Sequence, residues 1–232
     1  ARFADLIARY RAGEPAAYLV GRREFFGLDL LVTPAVLIPR PETELLVERA
    51  LDLLNSERAA GRWPRVADVG TGSGAIAIAL ATSLPDLEVW AVDLSEAALA
   101  VARENARRHG VADRIRFLEG DLVAALPEPV DIILANLPYV PSPDGRIAAE
   151  TAGWEPDLAL DGGPDGLSVI GRLLHHAPDR LTRPGWILLE VGAGQAGGVR
   201  AIAERTLRPV AVETARDVHG HERLVVLRCP IS

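Results

Sequence analysis

Between Arg65 and Arg205, short apolar runs rich in β-branched residues alternate with longer segments of helical period. No other feature of the chain restricts its fold so much. Residues 66–69, 88–93, 115–121, 130–135 and 186–191 read as strands, the apolar ones as strands buried on both faces of a parallel sheet. The helical segments between them supply the crossovers, so the expected architecture is an α/β doubly wound, Rossmann-like sheet. Residues 210–213 and 224–227 read as a closing antiparallel pair. Upstream, apolar residues at 3, 4, 6, 7 and 10 mark residues 1–11 as an amphipathic helix. Residues 18–20 and 24–32 around Gly21-Arg22-Arg23 read as a hairpin, and Pro41 opens a helix running to about Asn55. The polar stretch 56–64 reads as a linker. The expected division is therefore an N-terminal helix and hairpin region, 1–62, and a second domain, 63–232.

Composition narrows the function classes. The 232 residues suffice for one domain, or one with a small appendage. A net charge of −7 and a pI near 5.3 argue against a free nucleic-acid binder, which normally carries a basic stripe. No apolar run reaches the ~18 residues a bilayer requires, and no signal-peptide pattern is present. The expectation is a soluble cytoplasmic enzyme with no membrane partner and no direct nucleic-acid partner. The single cysteine, Cys229, has no intrachain disulfide partner. His175-His176 and His219-x-His221 read as solvated helix and hairpin residues rather than metal ligands, so no metal is expected. The chain contains no methionine, which reads as a trimmed sequence.

The candidate chemistry lies at the carboxyl ends of the strands, where open α/β sheets bind ligands. After the strand containing Asp68 comes Gly70-Thr71-Gly72-Ser73-Gly74 and then an apolar helix. Such a turn lets backbone N–H groups and a helix N-terminus approach a polar ligand. Its spacing also satisfies a degenerate dinucleotide fingerprint. Asp68 favours S-adenosylmethionine over a dinucleotide, because a carboxylate there attracts the methionine ammonium and repels a pyrophosphate. Asp93, ending the next strand, is suited to ribose hydroxyls. Asp121 is suited to an adenine amino group, with Leu122 packing on the adenine face. At the end of the run 130–135 stands Asn136-Leu137-Pro138-Tyr139. The Asn136 side-chain oxygen and the Leu137 carbonyl are two acceptors for the hydrogens of an NH₂ group, Pro138 stiffens the backbone and Tyr139 covers a flat substrate. That is equipment for methylating a planar amine or amide nitrogen. The segment 141–164, rich in Pro, Gly and Asp, is long enough to expect a functional loop closing over the substrate.

With these motifs the chain resembles a known family. Ile38-Pro39-Arg40-Pro41-Glu42-Thr43-Glu44, the glycine turn, Asn136–Tyr139 and Leu158-Ala159-Leu160-Asp161-Gly162-Gly163 occur in the order seen in HemK/PrmC, the glutamine methyltransferases of class I peptide chain release factors. Glu14–Leu19 and Glu24–Leu28 are similar too, so the likeness spans about residues 14–226. The family pattern Asn-Pro-Pro-Tyr carries Leu137 in second place here, a form also seen in rRNA adenine dimethyltransferases; leucine supplies the same backbone carbonyl. The resemblance implies a class I S-adenosylmethionine-dependent methyltransferase fold with a small N-terminal helix/hairpin region. It also implies that Ala1–Ala12 is the last helix of a longer helical N-terminal domain. The implied substrate is the glutamine of a Gly-Gly-Gln motif, with Arg40 and Glu42 contacting it or forming an ion pair with each other. A nucleic-acid adenine methyltransferase and a non-enzymatic nucleotide-binding module are the competing readings.

Overall fold

The computed structural model describes residues 2–142 and 153–230. The chain opens with helix α1 (Arg2–Arg11) and a short helix α2 (Ala16–Val20). A hairpin of β1 (Arg22–Phe25) and β2 (Leu28–Leu31) follows, then a 3₁₀ turn at Pro41–Thr43 that leads into α3 (Glu44–Ala59). The alternating region gives β3 (Val66–Val69), α4 (Ala75–Ser83), β4 (Val89–Asp93), α5 (Glu96–Arg108), β5 (Ile115–Glu119) and β6 (Val130–Ala135). It ends with α6 (Asp157–Leu160), α7 (Ser168–His176), β7 (Leu181–Glu190), α8 (Ala196–Thr206), β8 (Ala211–Arg216) and β9 (Glu222–Cys229). No described helix is long and apolar enough to cross a membrane.

Seven strands form one sheet in the order β5-β4-β3-β6-β7-β9-β8. β3 to β7 run parallel, and β9 inserts antiparallel between β7 and β8. The doubly wound expectation and the closing antiparallel pair therefore hold. Successive residues of each strand enter opposite layers, as a pleated strand requires. Ile132, Leu134, Leu188 and Val226 face one core, while Ile133, Ala135, Leu189 and Val225 face the other. α4 is buried along Ala75–Ala81, which its run of small and aliphatic residues permits. Leu46, Val47, Ala50 and Leu54 of α3, with Phe25 and Leu30 of the hairpin, join the first of these cores.

Two expectations about the N-terminal region need correction. The hairpin turns at Phe26-Gly27, not at Gly21-Arg22-Arg23, with Phe25 opposite Leu28. Both turn residues have positive φ, 51° and 74°, the geometry that matches strand twist in a two-residue hairpin. Residues 18–20 are helical, and Gly21 ends that helix in the left-handed conformation, its N–H bonding the Ala17 carbonyl. The polar stretch 56–64 is only partly a linker: Ser56–Ala59 continue α3, stabilised by its buried face rather than by local sequence. Of the long loop 141–164, residues 143–152 lie outside the described residues; the remainder holds α6 and a parallel bridge between Val140 and Asp161.

Candidate active site

The carboxyl ends of β3, β4 and β6 and the turns that follow them border a cavity of about 440 Å³, within the range of small-molecule sites. Its floor is the glycine turn. Gly70 has φ +76°, and a Cβ there would come within 2.9 Å of Leu137 Cδ2, so the turn and the Asn136–Tyr139 loop touch only because this residue is glycine. At Gly72, φ +56°, the position a Cβ would occupy is open. That leaves the backbone bare toward the cavity.

Asp93 lines the cavity and also shapes it. Its Oδ2 accepts from the Gly72 N–H at 2.8 Å and its Oδ1 from the Ser95 N–H at 2.9 Å. Burial raises its carboxyl above the usual range, against the lowering effect of those N–H groups. Thr71 and Ser73 line the same wall, while Gly74 lies outside it and caps α4 with φ +83°. Asp121 and Leu122 border the opposite end. Asp121 forms an ion pair with Arg172, which borders the cavity as well. Leu122 holds φ +52°, an unusual conformation for a bulky residue that costs about 1–3 kcal/mol and turns an apolar side chain into the pocket.

Asp68 was expected at the methionine ammonium, but it does not line the cavity. It faces the amino end of α4, fully buried, and its Oδ2 accepts from Thr71 Oγ1 at 2.6 Å and the Ala77 N–H at 3.2 Å. Its Oδ1 has no partner among the described residues. Burial pushes the carboxyl up to about 7, against the lowering effect of the Thr71 and Ala77 bonds. Asp68 thus sits beneath the glycine turn rather than in the cavity wall.

After β6, Asn136, Leu137 and Pro138 line the cavity, and Tyr139 does not. The Asn136 Nδ2 donates to Thr43 Oγ1 at 3.0 Å, and Thr43 Oγ1 donates to Glu190 Oε2 at 2.6 Å. The Tyr139 hydroxyl donates to Glu190 Oε1 at 3.1 Å, and burial first, then Glu190, raises the phenol above its ordinary value. The Leu137 carbonyl accepts from no backbone N–H among the described residues. The Tyr139 hydroxyl thus ties the tetrapeptide to the end of β7. The Tyr139 carbonyl accepts from Gln195 Nε2 at 2.9 Å, and Gln195 Oε1 accepts from the Gly192 N–H at 2.8 Å.

The Pro-Arg-Pro-Glu-Thr-Glu segment reaches the cavity through Pro39 and Thr43. Arg40 and Glu42, expected at the substrate, do not line it. The expected Arg40–Glu42 pair is not formed either; Arg40 pairs with Glu155, whose Oε1 also accepts from the Ile38 N–H at 2.9 Å. Sequence reading missed Thr43, Glu190, Gln195 and Asn105. Asn105 is fully buried on α5 and binds the Leu31 N–H and carbonyl and the Ser73 carbonyl, tying the hairpin to the glycine turn.

A sequence family described as a methyltransferase domain matches residues 66–153. The release factor glutamine methyltransferase of Bordetella pertussis is 47% identical over 97% of this chain and 81% of its own length. The protein of that name from Gloeobacter violaceus is 46% identical over 94% of this chain and 76% of its own. The chain belongs to the release factor glutamine methyltransferase family. A solved release-factor-specific protein-(glutamine-N5) methyltransferase from Alicyclobacillus acidocaldarius is 31% identical over 86% of this chain and 99% of that one, with a TM-score of 0.50. The family is one of methyltransferases that use S-adenosylmethionine, and the cavity fits that donor. It offers a bare glycine turn, a carboxylate at Asp93 and an apolar Leu122, and beneath the turn lies an orphaned buried oxygen on Asp68.

Proposed function

We infer that the chain transfers a methyl group from S-adenosylmethionine to the side-chain amide nitrogen of the glutamine in the Gly-Gly-Gln motif of class I peptide chain release factors. The observation that carries this is the orientation of Asn136. With Nδ2 engaged by Thr43, its Oδ1 and the neighbouring Leu137 carbonyl have no hydrogen-bond partner among the described residues, and both residues line the cavity. Two adjacent acceptors match the two hydrogens of a primary amide. Work on translation termination factors would place the enzyme in the cytoplasm.

In this reading Gly70, Thr71, Gly72, Ser73 and Gly74 form the donor cradle, with Asp93 at the ribose and Asp121 and Leu122 at the adenine. The bound donor supplies an electrophilic sulfonium methyl. An amide nitrogen is a poor nucleophile because its lone pair is delocalised, and among the described residues none beside the cavity can deprotonate it outright at neutral pH. Asn136 and Leu137 instead orient the nitrogen, and holding reactants in line contributes up to roughly 7–11 kcal/mol in favourable cases. The same acceptors stabilise positive charge developing on nitrogen. Pro138 and Tyr139 keep the acceptors in place.

Radiolabelled methyl transfer, run in parallel on release factor, RNA and DNA, tests the proposal. Label should appear in the release factor and be lost when the motif glutamine is replaced by glutamate. Label in RNA or DNA alone would favour the adenine reading, for which the same acceptors would serve.

Two predictions concern the donor end. Asp93→Ala should weaken S-adenosylmethionine binding at least tenfold by calorimetry with the fold intact, because the change removes a ligand and frees the Gly72 N–H. Unaltered affinity would take Asp93 out of the site. The second is a pH dependence. Asp68 is half neutral near pH 7 in the free protein, and a cation above it favours the ionised form. Donor binding should therefore release a proton below pH 7, and affinity should fall by up to about tenfold per unit as pH drops further. Calorimetry in buffers of different ionisation enthalpy measures this directly; no proton release at pH 6 would uncouple Asp68 from the donor.

A further inference from the structure

Glu190 closes β7 as a buried carboxylate with no ion-pair partner within salt-bridge distance among the described residues. Both of its oxygens are taken by hydroxyls of residues flanking the reactive amide, Thr43 and Tyr139. A buried acid kept in that state calls for a role beyond packing. We propose that Glu190 is a positioning residue for methyl transfer: acting through Thr43, its carboxylate fixes which end of the Asn136 amide faces the substrate. This rests on the reading of Asn136 and Leu137 as acceptors for the target NH₂.

The chain of donors admits one polarity. A carboxylate has no hydrogen to give, so the hydroxyls of Thr43 and Tyr139 must both donate to Glu190. Thr43 Oγ1, its one hydrogen spent, can then only accept from Asn136, at 3.0 Å. The amide must turn Nδ2 toward Thr43 and Oδ1 toward the cavity. Protonated Glu190 reverses this. Its O–H donates to Thr43 Oγ1, the Thr43 hydrogen is freed to donate to Asn136 Oδ1, and the amide then offers N–H groups to a substrate that itself needs acceptors. The charged form of Glu190 is thus the productive one, although burial raises its carboxyl above the ordinary range. The groups facing it divide: Thr43 and Tyr139 favour the carboxylate by hydrogen bonding, Glu42 opposes it, and Arg223 of β9 favours it from farther off. The Tyr139 phenol, itself raised, remains a donor throughout.

Three variants, assayed at saturating donor on a release factor that the wild-type enzyme methylates, test the proposal. Thr43→Val keeps the shape and removes the relay; turnover should fall about 30- to 100-fold while donor affinity by calorimetry stays within about threefold. Thr43→Ser restores the hydroxyl and should recover turnover to within a few-fold of wild type. Wild-type turnover should decline on acidification as Glu190 protonates, and Glu190→Gln should be slower at pH 8 but lack that acid limb. Wild-type turnover in Thr43→Val, or an unchanged acid limb in Glu190→Gln, overturns the proposal. If Thr43→Val does not fold, the Glu190→Gln profile decides alone. A wild-type enzyme that methylates no release factor would instead refute the function, which keeps the two failures distinct.

Discussion

Replacing Asn136 with alanine should reduce methyl transfer to release factor by about 100- to 1,000-fold, about 2.7–4 kcal/mol of barrier, while leaving S-adenosylmethionine affinity within a few-fold. The asymmetry follows from placement. Asn136 belongs to the loop after β6, whereas the glycine turn and Asp93, proposed to cradle the donor, follow β3 and end β4. Removing the amide deletes one of two acceptors for the target nitrogen and strands the Thr43 hydroxyl end of the relay, but it leaves the bonds from Gly72 and Ser95 to Asp93 untouched. Asn136→Asp is the sharper variant. It keeps the shape and can still accept, yet it cannot donate to Thr43 and brings a charge near the sulfonium. Donor binding should tighten or hold while turnover falls. Single-turnover rates and donor calorimetry on the same preparations separate the two quantities. Wild-type rates in either variant would make Asn136 structural.

Gly166→Ala should be the most damaging single methyl group in the site region. Gly166 has φ +76°, and an added Cβ would collide with Gln195 Nε2 and the Tyr139 carbonyl, the two partners of the clasp that holds the tetrapeptide. The conformational penalty and the overlap together should cost about 3 kcal/mol, a fall in Tm of about 6–12 °C for a chain of this size. Turnover of the surviving folded fraction should fall as well, because the Tyr139 carbonyl loses its anchor. Gly194→Ala is the control. It shares a positive φ, +83°, but has nothing within 4 Å of the added Cβ. It should lose only about 1 kcal/mol. Equal losses in the two variants, by thermal or urea unfolding, would show that crowding against the clasp contributes nothing.

How much was legible in the sequence depended on the range of the interaction. The strand, glycine turn and helix beside the cavity could be read because they are contiguous, and the strand and helix each leave a periodic signal. The sheet was legible for the same reason, down to the antiparallel closing pair. The hairpin was misplaced because Gly21 and Gly27 are equally good turn signals locally; only the docking of Phe25 and Leu30 into the core distinguishes them. Arg40 and Glu42 stand out in the sequence because charge is conspicuous, while the neutral Thr43 that follows them makes the bond to Asn136. Glu190 carries a local signal of its own. It ends the apolar run of β7 as Asp93 ends β4, so acids at strand ends pointed to it as plainly as to the others. Asn105 had one too, as the polar member of a buried stripe with Ala98, Leu99, Val101 and Ala102. Their partners, at separations of 147 residues for Thr43–Glu190 and 74 for Leu31–Asn105, leave no local trace.

Thr43, Asn136 and Glu190 are spread across most of the chain, whereas the residues of the donor cradle fall between Gly70 and Leu122. The two halves of the site therefore differ in loop-closure entropy, and contacts distant in sequence form late when chains fold. The β3–β4–β5 unit and its glycine turn draw on neighbouring segments of chain. The Asn136 amide cannot be oriented until β7 has paired with β6 and the Pro41–Thr43 turn has docked across both. Catalytic competence is therefore expected to be more easily lost on unfolding than donor binding. Activity should disappear at a lower denaturant concentration than donor binding does.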